Sequence, residues 1–295
     1  MWTSVSAAQP RLFFKPWALA AALLLGGCAH QAAAPAADPP WPQTLGQWRG
    51  TSLILLGEQH DQAAHHRWEA NTVGSLAAQG RLAAVVLEMA AAGGSTSALQ
   101  ADATEAEVKA ALLWEQGGAG GGWPWQDYGP VVMSAVRARV PVLGGNLPRT
   151  KMKTAMAENR YDAHLDQAGW QLQLDAIRNG HCGLLPESQF APMARIQLAR
   201  DETMAGVAAA AVRDLAGPGQ SVLLIAGRGH VRADIGVPTW LPAGFAAKVA
   251  IAQSDKARDA TQLKADRLLT LPGSAPEDHC TQLRQQWQGR AAARP

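Results

Sequence analysis

Two short apolar runs that stop at a glycine and then present a histidine constrain this chain more than anything else in it. SLILLGEQH closes on Gly57 and His60, and SVLLIAGRGH closes on Gly227 and His230. Each run is too short and too rich in leucine and β-branched residues for a helix, and reads as a buried strand ending in a turn. Four runs have the character of core strands of a parallel sheet, at 52–56, 83–87, 140–143 and 221–226. Two more strands are expected at 248–252 and 267–270. A helical pattern over 62–79, with Asp61 placed as its N-cap and Gly80 closing it, turns the first pair into a βαβ unit. TEAEVKAALLWEQ is a further helix, with Thr104 and Glu107 spaced as a capping box, and YGPVVMSAVRARV reads as the next crossover helix. The stretch 149–215 is helical in period and lacks a strand pattern, which leaves room for a cap at about 150–195. The expected architecture is an α/β domain over 45–290: a mostly parallel sheet flanked by helices, with a small helical cap subdomain.

The N-terminus has a different character. Arg11 and Lys15 precede WALAAALLLGG, an apolar run too short to span a bilayer comfortably, and small residues lead into Cys28. Leu25 stands three before the cysteine, as in a bacterial lipobox, so 1–27 reads as a lipoprotein signal peptide and Cys28 as the lipidated residue, carrying acyl chains such as palmitate. The alternative is an ordinary secretory signal with an incidental cysteine. Ala29 follows where an aspartate would favour inner-membrane retention, which points to the outer membrane. Residues 28–44 form an Ala/Pro-rich tether. The sequence carries 26 Lys and Arg against 24 Asp and Glu, and the counts become equal without Arg11 and Lys15. Nothing in that balance suits nucleic acid. Cys182 and Cys280 remain, an even pair that in an exported chain suits a disulfide, with a chain-entropy effect of about 4 kcal/mol. Two free buried thiols are the alternative.

In an open parallel sheet, ligands bind at the carboxyl ends of the strands. Those ends carry Glu58 and His60, Glu88, Asn146 and Arg149, then Arg228 and His230. Taken singly, a histidine after a strand is most often a hydrogen-bonded surface or cap residue, and Glu88 could cap a following helix. Taken together, they suggest one rim. Carboxylates with imidazoles suit a divalent transition metal held by His60, Glu88 and His230, with a glutamate as base on bound water. Histidine or tyrosine with aromatics and arginines suits haem instead. The phenols available for iron are Tyr128 and Tyr161; each could equally be a buried or surface ring with a satisfied hydroxyl. His65 and His66 lie one turn into the first helix and carry less weight, and His164, His181 and His279 have no assigned role. The run GGAGGG before WPWQDY reads as a loop leading into an aromatic wall, or as a plain linker.

The motifs LLGEQHDQAAHH, VVLEM, WPWQDYGPVV, PVLGGNLPR, GHCGLLPE, QLARDETMA and LLIAGRGHVRADIGVP resemble the ChaN-type haem-binding lipoproteins of the Tiki/TraB superfamily over about 45–271. Two Gly-x-x-His motifs and a glutamate mark that superfamily, and here they fall on His60, Glu88 and His230, with Glu58 inside the first motif. The resemblance implies an α/β core with a helical subdomain, and an outer-membrane lipoprotein that takes part in iron uptake or storage. In some members haem binds as a cofacial pair across a homodimer with tyrosine ligation, and an outer-membrane haem receptor is a conceivable partner. On this reading Tyr128, Tyr161, His60, His230, Arg149 and Arg228 are the haem-site candidates. Some superfamily members are metal-dependent proteases and erythromycin esterases are related in fold. A hydrolase using Glu58, His60, Glu88 and His230 is therefore the alternative. The glycine run before Trp123 departs from the family pattern and leaves the setting of Tyr128 open.

Overall fold

The computed structural model describes residues 2, 39–116, 123–256, 263–274 and 278–292. Apart from residue 2, the signal peptide lies outside the described residues, as do Cys28 and the run 117–122.

Six parallel strands form one sheet: β1 (Leu53–Glu58), β2 (Leu82–Ala91), β3 (Val142–Asn146), β4 (Ser221–Gly227), β5 (Ala247–Ser254) and β6 (Arg267–Leu271). Their order is β3-β2-β4-β1-β5-β6. The first four strands are buried along nearly their whole length, as expected where helices cover both faces, so they read as unbroken apolar runs rather than alternations. The chain lays β1, β2 and β3 outward in one direction, returns to insert β4 between β2 and β1, then adds β5 and β6 on the other side. That return brings the second glycine turn between the ends of β1 and β2. Register completes the placement, because Glu58 lies opposite Gly227.

The core joins strand residues such as Leu55, Val86 and Leu224 to the inner face of a long helix at Met204, Ala205 and Ala208. The helices along the chain are α1 (Trp41–Gln47), α2 (Ala63–Ala78), α3 (Glu105–Ala111), α4 (Trp125–Arg137), α5 (Arg149–Ala157), α6 (Gln167–Gly180), α7 (Phe190–Leu215), the single turn α8 (Arg228–Val231) and α9 (His279–Ala292). The Thr104 capping box forms, with Glu107 N donating to Thr104 Oγ1 and Thr104 N to Glu107 Oε2. The cap on α2 differs from expectation. Gln62, not Asp61, precedes the helix and makes no side-chain cap bond; its Oε1 instead accepts from Ser274 N. Strand β2 also runs longer than its apolar core suggested, carrying Glu88 within the strand rather than as a cap for a following helix.

The cap is built from α5, α6 and the first part of α7, around Ile177, Phe190 and Ala194 in one cluster and Ala155, Tyr161 and Leu198 in another. Helix α7 is continuous over 26 residues and runs from the cap onto the sheet. Cys182, just past α6, is joined to Cys280 at the start of α9. Among the described residues no helix is long and apolar enough to cross a membrane.

Candidate functional site at the carboxyl rim of the sheet

The ends of β1, β2 and β4 bring Glu58, His60, Glu88 and His230 together. Glu88 is the centre. Its Oε2 accepts the Gly227 backbone N–H at 2.7 Å and lies 3.7 Å from His60 Nε2; its Oε1 lies 3.4 Å from His230 Nε2. One carboxylate therefore stands between the two glycine-turn imidazoles. Gly227 permits this closeness, because a Cβ at that position would sit 2.6 Å from His60 Nε2. Gly57 is needed for a different reason, since a Cβ there would overlap Val231 and meet Ile251 Cγ1 at 3.1 Å.

Each imidazole is backed by its own carboxylate. His60 Nδ1 pairs with Glu58 Oε1 at 2.8 Å, and His230 Nδ1 with Asp201 Oδ1 at 2.6 Å. Such a partner fixes the ring and its tautomer. Glu58 is itself crowded: Tyr128 Oη donates to its Oε1 at 2.8 Å, and His66 Nε2 approaches its Oε2 at 3.0 Å, an ion-pair distance without hydrogen-bond alignment. His65 Nδ1 accepts the Gln59 N–H. Beneath them Glu69 is wholly buried with neither oxygen hydrogen-bonded.

The electrostatics follow from burial working against these partners. Burial alone would raise the Glu58 carboxyl, but His60 and His66 overcome it and hold it at about 2. Burial likewise opposes ionisation of Glu88, and His230, His60 and Arg200 reverse it and keep it well below the carboxylate range. Burial would lower His230, yet Glu88 and Asp201 lift it to about 10. Asp201 is pushed up to about 6 by burial, against the pull of His230. Glu69 has no cation to help it, so burial and the Glu58 charge raise it far above its usual range and keep it neutral.

The remaining candidates separate. Tyr128 belongs to the rim: its ring is buried against Trp114, Trp123 and His66, its hydroxyl bound to Glu58. Burial and the Glu58 charge push its phenol upward. Trp123 lies against the His60 ring, centroids 4.4 Å apart. Tyr161 lies in the cap, its hydroxyl donating to Glu202 Oε2 at 2.8 Å. Arg149 opens α5 just after β3 and is exposed. Arg228 starts α8 at the rim, half-buried, with Nη1 lacking a partner. Asn146 Nδ2 donates to the Glu88 carbonyl.

Sequence reasoning missed Arg200 and Asp201. Asp201 falls on the apolar stripe Ala194, Leu198, Ala205 and Ala208 at three- and four-residue spacing, and that placement was the available signal. A cavity of about 220 Å³ lies beneath α6, with His230 and Asp201 on one wall and Ile177, His181 and Ile235 among the others. Among the described residues, no group of three or more His, Cys, Asp or Glu side chains is arranged to hold a metal ion.

Among curated proteins none matches the chain. Among solved structures, ChaN of Campylobacter jejuni with cofacially bound haem aligns at a TM-score of 0.57 and 23% identity, over 76% of this chain and 89% of that one, which shows a shared fold. An erythromycin esterase in its open conformation aligns at 0.43 and 13% identity, over 72% of this chain and 72% of that one. The family model for haem-binding uptake proteins of the Tiki superfamily, ChaN, matches residues 44–241, and the chain belongs to that family.

Proposed function

We propose that this protein binds haem at the carboxyl rim, as a lipid-anchored bacterial protein of iron uptake or storage. The lipobox before Cys28 supports an acyl anchor, and Ala29 after it supports the outer membrane. The observation that carries the reading is His60. Its side chain is 32% exposed against 12% for His230, its Nδ1 is held by a carboxylate, and an indole covers its ring. An aromatic face, a carboxylate-backed imidazole and the partnerless Arg228 Nη1 are parts that fit a porphyrin, its iron and a propionate. Bound haem would supply the iron chemistry; the residues hold it and exclude water. His60 Nε2 faces Gly227 and Glu88, so ligation through it requires the ring to turn. Tyr128 and Tyr161 each donate to a carboxylate, and each phenol is pushed upward, so phenolate ligation requires that bond to break. The Campylobacter protein is described as binding haem cofacially, and we extend that to a homodimer here. Transfer from an outer-membrane receptor belongs to the same proposal.

The test is hemin titration of the full chain with mass measurement of the complex. A Soret band that saturates, and is lost or shifted in His60→Ala, is expected. No Soret band at micromolar hemin would reject the reading. If Tyr128→Phe and Tyr161→Phe shift the band and His60→Ala does not, the ligand is a phenol.

A second reading has its own observation. Glu88 lies between two imidazole Nε2 atoms, each backed by a carboxylate; these donor types suit a divalent transition metal, but as placed they are not arranged to hold one and would have to draw together around it. His60, Glu88 and His230 would hold the ion, which would supply Lewis acidity to a hydrolase. Manganese, cobalt or zinc that co-purifies and is lost in His60→Ala would favour it.

A further inference from the structure

Several arginines of the described residues are held in forks. Arg195 binds both oxygens of Asp162 at 2.7 Å, Arg232 those of Asp234 at 2.9 and 2.7 Å, and Arg160 those of Glu202 at 2.9 and 2.6 Å. This is the ordinary way to keep a guanidinium out of water. Arg200 is more deeply buried than any of the three, its side chain 10% exposed, and it has no fork. Its Nη1 reaches Gln197 Oε1 only at 3.5 Å and Glu88 Oε1 only at 3.9 Å, and its Nε has no partner. Glu88 does not close on it, because Oε2 takes the Gly227 N–H and Oε1 faces His230. Next to Gly227 in the chain, Arg228 has a buried Nη1 without a partner as well. Among the described residues, Arg200 and Arg228 both bring such a nitrogen to the rim, where a buried guanidinium short of acceptors is costly unless something arrives to fill it.

We infer that Arg200 is a binding residue for a carboxylate of the ligand, entering from the cavity that Gln197, its Nη1 neighbour, helps to line. Planar bidentate geometry suits a carboxylate better than a halide or a neutral acceptor. Two guanidiniums near one rim, Arg200 beside Glu88 and Arg228 next to Gly227 in the chain, suit a ligand with two carboxylates, as a porphyrin with two propionates has. The inference rests on the haem reading for the identity of the ligand, not for the existence of the site.

The probes are hemin and hemin dimethyl ester, which lacks the two carboxylates, titrated into the full-length chain and into Arg200→Met. Wild type is expected to bind hemin ~10–100-fold tighter than the ester, and Arg200→Met to remove most of that difference. Without ligand, Arg200→Met should melt somewhat lower than wild type, because Arg200 helps hold the Glu88 carboxylate ionised, so the preference for hemin over the ester is the deciding readout. A merely structural arginine would leave that preference unchanged. That result overturns the inference while the haem reading stands. Should Arg200→Met fail to fold, Arg200→Lys keeps the charge without the fork. A partial loss of preference is expected there, and an unchanged preference overturns the inference. If wild type binds no hemin, the haem reading falls and succinate decides the site. A melting temperature raised by succinate in wild type and not in the Arg200 variant supports it, and no rise in wild type overturns it.

Discussion

The two glycine turns share a motif and differ in what covers them. At the first, His60 is backed by Glu58, faces Trp123 and is one-third exposed. At the second, His230 is backed by Asp201, which arrives from α7, and lies at the wall of the cavity beneath the cap helix. The first turn thus makes an open imidazole whose backing comes from its own strand, two residues away. The second makes a closed one whose backing comes from 29 residues upstream through tertiary packing. The contrast argues for a division of labour, with the first turn offering an open imidazole and the second setting charge and position beside the cavity. Glu88 joins the two.

The largest effect should come from removing that joint. Glu88→Gln leaves two imidazoles facing an amide and should cost about 3–5 kcal/mol, the range for breaking a buried ion pair from one side. Chemical denaturation checks it, and a loss under 1 kcal/mol would mean the two turns do not share one carboxylate in solution. Next, the turns should separate by stability. His230→Ala removes a nearly buried cation and leaves Asp201 unpaired, with an expected loss of about 2–4 kcal/mol. His60→Ala removes a partly exposed ring and should cost about 1 kcal/mol or less, while having the larger effect on the hemin spectrum. Equal stability losses would erase the contrast.

The two turns should also respond to pH at opposite ends. His230 is raised to about 10 from an ordinary 6.5, so the stability it contributes is fully present below 6.5 and is lost as pH rises towards 10. Glu58 is lowered to about 2 from 4.5, so its contribution is present above 4.5 and is lost as pH falls towards 2. In chelator-treated protein, the stability gap between wild type and His230→Gln should shrink between pH 7 and 10. The gap to Glu58→Gln should shrink between pH 4.5 and 2. A gap that does not move in its own window would show that the pairing is absent in that state.

The first turn was legible in the sequence because everything in it is local. Glu58, Gly57 and His60 lie within four residues, and a strand ending in a glycine turn puts them at the sheet edge whatever the rest does. The sheet was legible for a related reason: strands buried on both faces are written as apolar runs, and all six runs found in the sequence became strands. The second turn was half legible. Gly227 and His230 stood out, but Asp201 lies inside a 26-residue alanine-rich helix, where an Arg-Asp pair looks like a solvated face. Only the continuation of α7 from the cap onto the sheet turns that pair inward. Strand order hid the role of Glu88 similarly, since nothing local says that β4 inserts between β2 and β1. The cap on α2 was misread because Asp61 suits a cap by residue type, whereas Gln62 occupies the position and spends its side chain on the distant Ser274.

The smallest effect concerns reactivity rather than stability. His60 is open and His230 is covered, so carbethoxylation followed by mass spectrometry should label His60 first. Trp123 lies on the His60 ring while its own indole bridges to Tyr128 in an edge-on contact. Trp123→Ala should therefore speed labelling of His60 a few-fold and leave His230 unchanged, with a stability loss of about 1 kcal/mol from an indole that is only partly buried. Reduction of the Cys182–Cys280 bond, at the far end of α6, should do the converse if the cap is what shields the second turn, speeding His230 and leaving His60 alone. Should both treatments accelerate both histidines, the two turns breathe as one unit, and the open and closed sides of the rim are a single mobile surface rather than two environments set by the elements that cover them.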